Sequence, residues 1–311
     1  MSKSEDFKFA FFQGKIVPQE KARVSIKTNA LQYGTAVFGG IRGYYDKDKR
    51  ILDIFRPQDH FERFLNSLKI LGVSIPYSSP DLVQIIVNLV IKNHPRQNVY
   101  FRPFAYAGSL QLAPNLFRDN KFDFAMYMIP LEEYLSVSKG LSVKVSSWTR
   151  VSDNSIPARG KISGSYINSA LARQESAQLG FDEAIVLNNK GEVSEGSAEN
   201  LFIVRNGYLV TPPVTEDILE GITRNTILQL AKDLNILTVE RSIDRSELYI
   251  ADEAFFCGTG VQVAWISEID KRPVGNSQIG PITSRIQTAF FSLVHGKMKK
   301  YSSWVYPIKL K

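Results

Sequence analysis

Four short stretches hold the residues whose types and spacing could do chemistry. In Ile156-Pro157-Ala158-Arg159-Gly160-Lys161-Ile162-Ser163-Gly164-Ser165-Tyr166, a lysine sits among small residues ahead of a long helical pattern, with a tyrosine five positions on. An amine held in a closed, partly desolvated site loses its proton more readily and becomes a nucleophile able to form an imine. Small neighbours leave room for what is built onto it. Glu195 lies in a glycine/serine turn directly after a strand pattern. Gly221-Ile222-Thr223 begins a helical pattern, where free N–H groups and the helix dipole favour a phosphate. Gly258-Thr259-Gly260, at a strand end, offers further N–H groups and a hydroxyl. Taken singly, each has a plainer meaning: a surface lysine, a turn glutamate, a helix cap, a strand-end turn. Their joint presence is what points to one phosphate-bearing cofactor held from distant parts of the chain.

The elements that must position these groups follow from periodicity. Residues 8–18 and 22–27 alternate as a strand pair turning at Gln13-Gly14, and Arg50–Phe55 reads as a strand. Phe61, Phe64, Leu65, Leu68 and Leu71 share a helix face, with Arg63 off it. Asp81–Lys92 is a second amphipathic helix started by Ser79-Pro80-Asp81. Asn98–Tyr106 is a strand carrying Arg102, and a buried guanidinium is costly unless an anion pairs with it. A loop over Gly108–Asn120 leads to the strand Phe122–Ile129, and Leu141–Thr149 is another. The helix after the lysine runs to Leu179, with Gly180 just past its end. Glu183–Leu187 with Glu192–Ser194, and Leu201–Val204 with Tyr208–Thr211, form hairpins, the second turning at Asn206-Gly207. Leu237–Arg241 and Glu253–Cys257 are strands, and Thr283–Val294 is the last helix. Mixed strands and helices give an α+β fold. Its expected division is a smaller domain over residues 1–130, a connection over 131–140 and a larger cofactor-binding domain over 141–311.

Composition narrows the classes. The 311 residues are 44% apolar and 22% charged, as in a globular protein with a sizeable core. No apolar run approaches the roughly 20 residues needed to span a bilayer. The start, MSKSEDFKFAFFQGK, does not read as a secretion signal, so a cytoplasmic protein is expected. The lone Cys257 and the scattered His60, His94 and His295 provide no disulfide and no metal-ligand spacing. A formal charge of +7, spread without a basic run or an aromatic-interleaved stripe, is no nucleic-acid footprint.

Several strings in order, SEGSAENLF (Ser194–Phe202), GITR (Gly221–Arg224), CGTG (Cys257–Gly260), LQYGTAVFGGIR (Leu31–Arg42) and YFRP (Tyr100–Pro103), make the chain resemble the branched-chain amino-acid aminotransferases. These are class IV, fold type IV pyridoxal-phosphate enzymes, and the likeness extends over nearly the whole chain. It implies that Lys161 carries pyridoxal 5′-phosphate and shuttles protons, that Glu195 pairs with the ring nitrogen, and that Tyr166 bonds the ring's phenolic oxygen. Arg63, Ile222, Thr223 and Thr259 would hold the phosphate. The Thr259-Gly260 amides would take the substrate α-carboxylate. Tyr33, Phe38, Tyr134 and Tyr166 would wall an apolar pocket. Arg102, with Tyr100 beside it, would take the second carboxylate of glutamate or 2-oxoglutarate. The family draws part of this pocket from a second subunit, so a homodimer, with Tyr33 and the 107–111 loop acting across its interface, is implied.

The sequence departs from the family at Gly39, where many members have glutamate, and the loop Ala107–Leu112 matches no single specificity. A D-amino-acid or (R)-amine transaminase of the same fold is therefore the alternative within the superfamily, with aminodeoxychorismate lyase behind it. A non-catalytic binding protein on the same scaffold is the alternative outside it, against which stand a lysine and a glutamate that folding alone does not need. The preferred amino donor and any assembly beyond a dimer are not written in these residues.

Overall fold

The computed structural model describes residues 6–114, 116, 122–131, 135 and 138–310. Tyr134, much of the 131–140 connection and part of the Gly108–Asn120 loop lie outside them. The chain divides into two compact units, one of Met1–Glu132, Gly160–Gly164 and Leu293–Lys311, the other of Glu133–Arg159 and Ser165–Ser292.

The first unit begins with β1 (Phe9–Phe12) and β2 (Lys15–Pro18), an antiparallel pair whose turn uses the left-handed Gln13 and Gly14. The alternation of 22–27 does not make a strand: no strand among the described residues pairs with it, and Val24 and Ile26 stay exposed. After the short α1 (Asn29–Tyr33) come β3 (Ala36–Phe38), β4 (Ile41–Asp46) and β5 (Ile51–Phe55). Two helices follow. In α2 (Pro57–Ile70), Phe61, Phe64 and Leu68 are buried at helical spacing. For α3 (Ser79–Asn93), Ser78 is the N-cap, one residue earlier than the sequence suggests, in a capping box with Asp81. β6 (Val99–Ala107) and β7 (Phe122–Pro130) pair over nine residues. Val99, Phe101 and Ala105 face the core, which leaves Tyr100, Arg102 and Phe104 on the opposite face.

The second unit holds β8 (Leu141–Thr149), α4 (Tyr166–Gln178), β9 (Glu183–Leu187), β10 (Val193–Gly196), β11 (Asn200–Arg205) and β12 (Tyr208–Thr211). Then come α5 (Ile222–Asp233), β13 (Thr238–Glu240), β14 (Glu253–Gly258), β15 (Gln262–Ile269), β16 (Arg272–Pro273) and α6 (Pro281–Val294). The sheet runs β10-β9-β8-β15-β14-β11-β12-β13. β8 is parallel to both its neighbours, and β14 is antiparallel to both of its own. A buried apolar cluster of Val143, Ile185, Leu201, Ile203, Phe256 and Ala264 lines one face of it.

The final strand, β17 (Val305–Lys309), returns to pair antiparallel with β5, completing the first unit's sheet in the order β17-β5-β4-β6-β7-β1-β2, with β3 joined to β6. The fold is α+β. No helix among the described residues is long and apolar enough to cross a membrane.

Candidate active site

In the first unit the groups gather on the polar face of β6. Tyr100 and Arg102 lie two residues apart on one strand and so project to the same side. Arg102 stacks over Tyr100, 5.2 Å from guanidinium carbon to ring centroid, and over Phe38 at 4.6 Å. Its Nε is buried without a hydrogen-bond partner. Burial pushes the Tyr100 phenol up, and the guanidiniums of Arg102 and Arg63 oppose that rise. Room for Tyr100 comes from Gly40: a Cβ there would sit 1.8 Å from the Tyr100 oxygen. Gly39, where the family often has glutamate, packs its bare Cα face against Pro103; its N–H donates to the Pro103 carbonyl at 2.7 Å.

Lys161 joins the same face. Its Nζ lies 5.1 Å from the Phe38 ring centroid, so that ring meets two cations. Its backbone is fastened from two sides: the Phe38 N–H donates to the Lys161 carbonyl at 3.0 Å, within the bridge between Val37 and Ile162, and the Lys161 N–H donates to Ser67 Oγ at 3.1 Å. Ser67, fully buried on α2, donates in turn to the Arg63 carbonyl at 2.9 Å. Arg63 is half-buried on the same helix, one turn from His60. Burial first, then the charges of Arg63, Arg56 and Lys161, holds His60 well below the ordinary imidazole range, so it is neutral. Tyr33 ends α1, half-buried.

In the second unit the carboxylate of Glu195, on β10, is buried and held from three sides. Arg150 Nη2 pairs with Oε1 at 2.9 Å; the Leu219 N–H and Asn200 Nδ2 donate to Oε2 at 3.0 and 3.1 Å. Asn200 also donates to the Leu219 carbonyl at 2.9 Å, so one amide ties the Glu195 carboxylate to the segment that opens α5. That helix begins at Gly221, which has no side-chain cap, and its first turn carries no acid. Ile222 and the buried Thr223 are its first residues. Thr259 and Gly260 form the turn between β14 and β15, both half-buried, and Tyr166 is the first residue of α4. Sequence alone does not single out Arg150, Asn200 or Ser67. Neither their types nor their spacing distinguishes them from ordinary polar residues.

Two buried carboxyls accompany Glu195. Burial, and then the charge of Glu183, pushes Glu199 up to about 8, with Glu195 adding to the rise. Burial also raises Glu183, against the Arg173 guanidinium and the Ser197 hydroxyl. Cys257 is a free buried thiol, pushed up by burial.

The family model for class IV amino-transferases matches residues 36–269. The chain belongs to the class IV aminotransferase family. It is 47% identical over 309 residues, 99% of each chain, to the Aquifex aeolicus (strain VF5) protein named "Probable branched-chain-amino-acid aminotransferase". It is also similar to the branched-chain aminotransferase of Thermoproteus uzoniensis solved with norvaline: TM-score 0.93, 42% identity, 97% of this chain and 99% of that one. The branched-chain amino acid aminotransferase of Thermobaculum terrenum, solved in its PLP-form, matches with a TM-score of 0.93, 35% identity and 98% and 99% coverage. Pyridoxal 5′-phosphate is the cofactor of the family and of this chain, and the residues present fit it. An uncapped, acid-free helix start beside a buried threonine suits a phosphate. A buried carboxylate paired with a guanidinium suits a protonated ring nitrogen.

Proposed function

We propose that this chain moves the amino group of L-valine, L-leucine or L-isoleucine to 2-oxoglutarate, giving the branched-chain 2-oxo acid and L-glutamate. The observation that carries this reading is the Phe38 ring, faced by Lys161 Nζ and by an Arg102 guanidinium whose Nε has no hydrogen-bond partner. One pocket has to accept a hydrocarbon in one half-reaction and a second carboxylate in the other. An aromatic wall meets the first need, and a stacked guanidinium with a free donor meets the second.

Bound pyridoxal 5′-phosphate supplies an electron-withdrawing ring that takes up the charge developing at the substrate Cα. The chain's own residues do the rest. Lys161 would hold the cofactor, and its Nζ would take the proton from the substrate Cα and return it, as general base and acid. The Phe38 face steadies the ammonium form. Glu195 keeps the ring nitrogen protonated and Tyr166 holds the phenolic oxygen. Arg63, the Ile222 N–H, and the Thr223 and Thr259 hydroxyls bind the phosphate. The Thr259-Gly260 amides take the α-carboxylate, while Tyr33, Phe38, Tyr134 and Tyr166 exclude water around the side chain. Arg102 and Tyr100 receive the distal carboxylate.

The working unit is a homodimer in the cytoplasm. Supporting the dimer, Val24, Ile26, Leu31, Leu110 and Leu112 leave large apolar side chains exposed, and the Asn29 N–H bonds the Ser109 carbonyl at 2.8 Å, which links their two segments.

A substrate panel tests the reading. L-leucine, D-alanine and (R)-1-phenylethylamine are offered with 2-oxoglutarate and with pyruvate. L-leucine with 2-oxoglutarate should be the fastest pair, and Lys161→Ala should turn over none. Robust turnover of only D-alanine and the amine overturns the assignment.

A further inference from the structure

We propose that Arg150 is a positioning residue for the cofactor: it keeps Glu195 a charged carboxylate, and through that charge sets how tightly pyridoxal 5′-phosphate is held. The inference rests on the assignment of Glu195 to the ring nitrogen. It starts from an ion pair buried at both ends, with the Arg150 side chain 9% exposed and that of Glu195 6%. A carboxylate taken out of water without a counter-charge takes up a proton instead. A neutral Glu195 would be a poor partner for a protonated ring nitrogen. The donors on Oε2, the Leu219 N–H and the Asn200 amide, are neutral dipoles, whereas Arg150 on Oε1 brings a full charge.

The surroundings make that charge more necessary. Of the titratable groups that face Glu195, Glu199 and Cys257 are acids, each raised in part by the Glu195 charge itself. Arg224, whose charge acts on Cys257, donates to the Pro212 carbonyl at 2.9 Å and to Glu240 at 2.6 Å. Arg150 is itself fixed on both sides. Its N–H donates to the Leu187 carbonyl at 2.7 Å, and its Nε donates to the Asp217 carbonyl at 3.2 Å. The guanidinium therefore cannot drift from Glu195 without giving up its bond to the Asp217 carbonyl.

The test measures cofactor binding, not turnover. Purified apo-protein is titrated with pyridoxal 5′-phosphate, followed by the cofactor's absorbance, at several pH values from 6 to 7.5. In that window Glu199, with its upward shift to about 8, stays largely protonated. Wild type, Arg150→Met, Glu195→Gln and the double variant are compared, so that the cofactor's own titrations cancel against the Glu195→Gln background. Arg150→Met should develop a limb in which affinity falls as pH drops, approaching about tenfold per pH unit below the new titration of Glu195. Wild type should lack that limb, and the double variant should lose it. Arg150→Lys, which keeps a cation, should restore a flat profile, whereas a role in packing alone would leave the lysine variant as impaired as the methionine one. If Arg150→Met does not fold, Arg150→Gln keeps a donor for the Asp217 carbonyl and carries the same expectation. A limb that is absent, or that persists in the Glu195→Gln background, overturns the inference. Unchanged binding in Glu195→Gln alone instead overturns the assignment of Glu195 to the ring nitrogen.

Discussion

Ser67 is an ordinary residue by type, on a helix nearly a hundred positions before the lysine it steadies. Its hydroxyl accepts from the Lys161 N–H and donates to the Arg63 carbonyl, so one buried oxygen links the candidate lysine to the helix carrying a candidate phosphate ligand. Removing it leaves a backbone donor without its partner, which costs about 1–3 kcal/mol where no water replaces it. Ser67→Ala should therefore lower the melting temperature and speed amide exchange in a peptide covering Lys161, with a fall in kcat larger than any rise in KM. Unchanged exchange at Lys161 would count against this role. The contrast with Lys161 explains what was legible at this scale. A reactive side chain needs a particular chemistry and so announces itself in a string such as Arg159-Gly160-Lys161-Ile162-Ser163-Gly164. A group that only holds another needs one hydrogen bond at one place, which many residue types supply. Ser67, Arg150 and Asn200 are of that second kind, and only coordinates find them.

Among elements, the start of α5 shows how a helix terminus is made available to an anion. A residue with a side-chain cap at position 221 would satisfy the free N–H groups from within. Gly221 brings no capping side chain, and its missing Cβ does a second job, since one built there would lie 2.1 Å from Asn200 Oδ1. Asn200 is the amide that ties Glu195 to Leu219, so a methyl at 221 would push on the helix start and on the candidate ring-nitrogen partner together. Gly221→Ala should weaken pyridoxal 5′-phosphate binding by at least about tenfold, equivalent to roughly 1.4 kcal/mol, as read by the same absorbance titration. Binding within twofold of wild type would show that Asn200 can yield without consequence.

Amphipathic helices with apolar residues at 3.6 spacing, such as α2, α3 and α5, were readable because burial of one stripe imposes that period. So were the hairpins at Gln13-Gly14 and Asn206-Gly207, where left-handed turns select their residues. β3 and β4 were not, because Gly39 and Gly40 made that stretch read as a turn or pocket wall; β15 went unread as well. The alternation of 22–27 misled, because a period of two says which way side chains point and not whether a neighbouring strand exists.

At the scale of the whole chain, sheet order was out of reach of the sequence. β17 finds β5 across some 250 residues, and β8 lies parallel to both β9 and β15, pairings fixed by which apolar faces must be covered and not by any local signal. Such long-range assembly also sets the molecule's response to pH, because it brings Glu183 and Glu199 into a dry interior where burial raises both. The sign follows from linkage. A carboxyl whose folded value lies above its unfolded one binds more protons in the folded state, so stability is greatest below the unfolded range near 4.5 and falls as pH rises through about 8. His60 acts at the other end. Held well below its ordinary 6.5, it resists protonation in the folded state, so its contribution is present above that value and falls as pH drops beneath it. The carboxyl loss already begins above about 4.5 and the His60 gain ends at 6.5, so the two windows overlap and the protein should be most stable at mildly acidic pH, losing stability from there through about 8.

Glu199→Gln isolates the alkaline slope, since glutamine copies the protonated carboxyl and can still accept the Ala198 N–H that Glu199 Oε2 takes at 3.0 Å. With the cofactor saturating, wild type should lose several degrees of melting temperature between pH 6 and pH 9, and the variant distinctly fewer. Each kcal/mol is worth roughly 2–4 °C in a domain of about 150–250 residues, so the difference is within reach of a thermal scan. Parallel losses in the two proteins would mean that the alkaline slope arises elsewhere and that Glu199 titrates in the folded state as it does in the unfolded one.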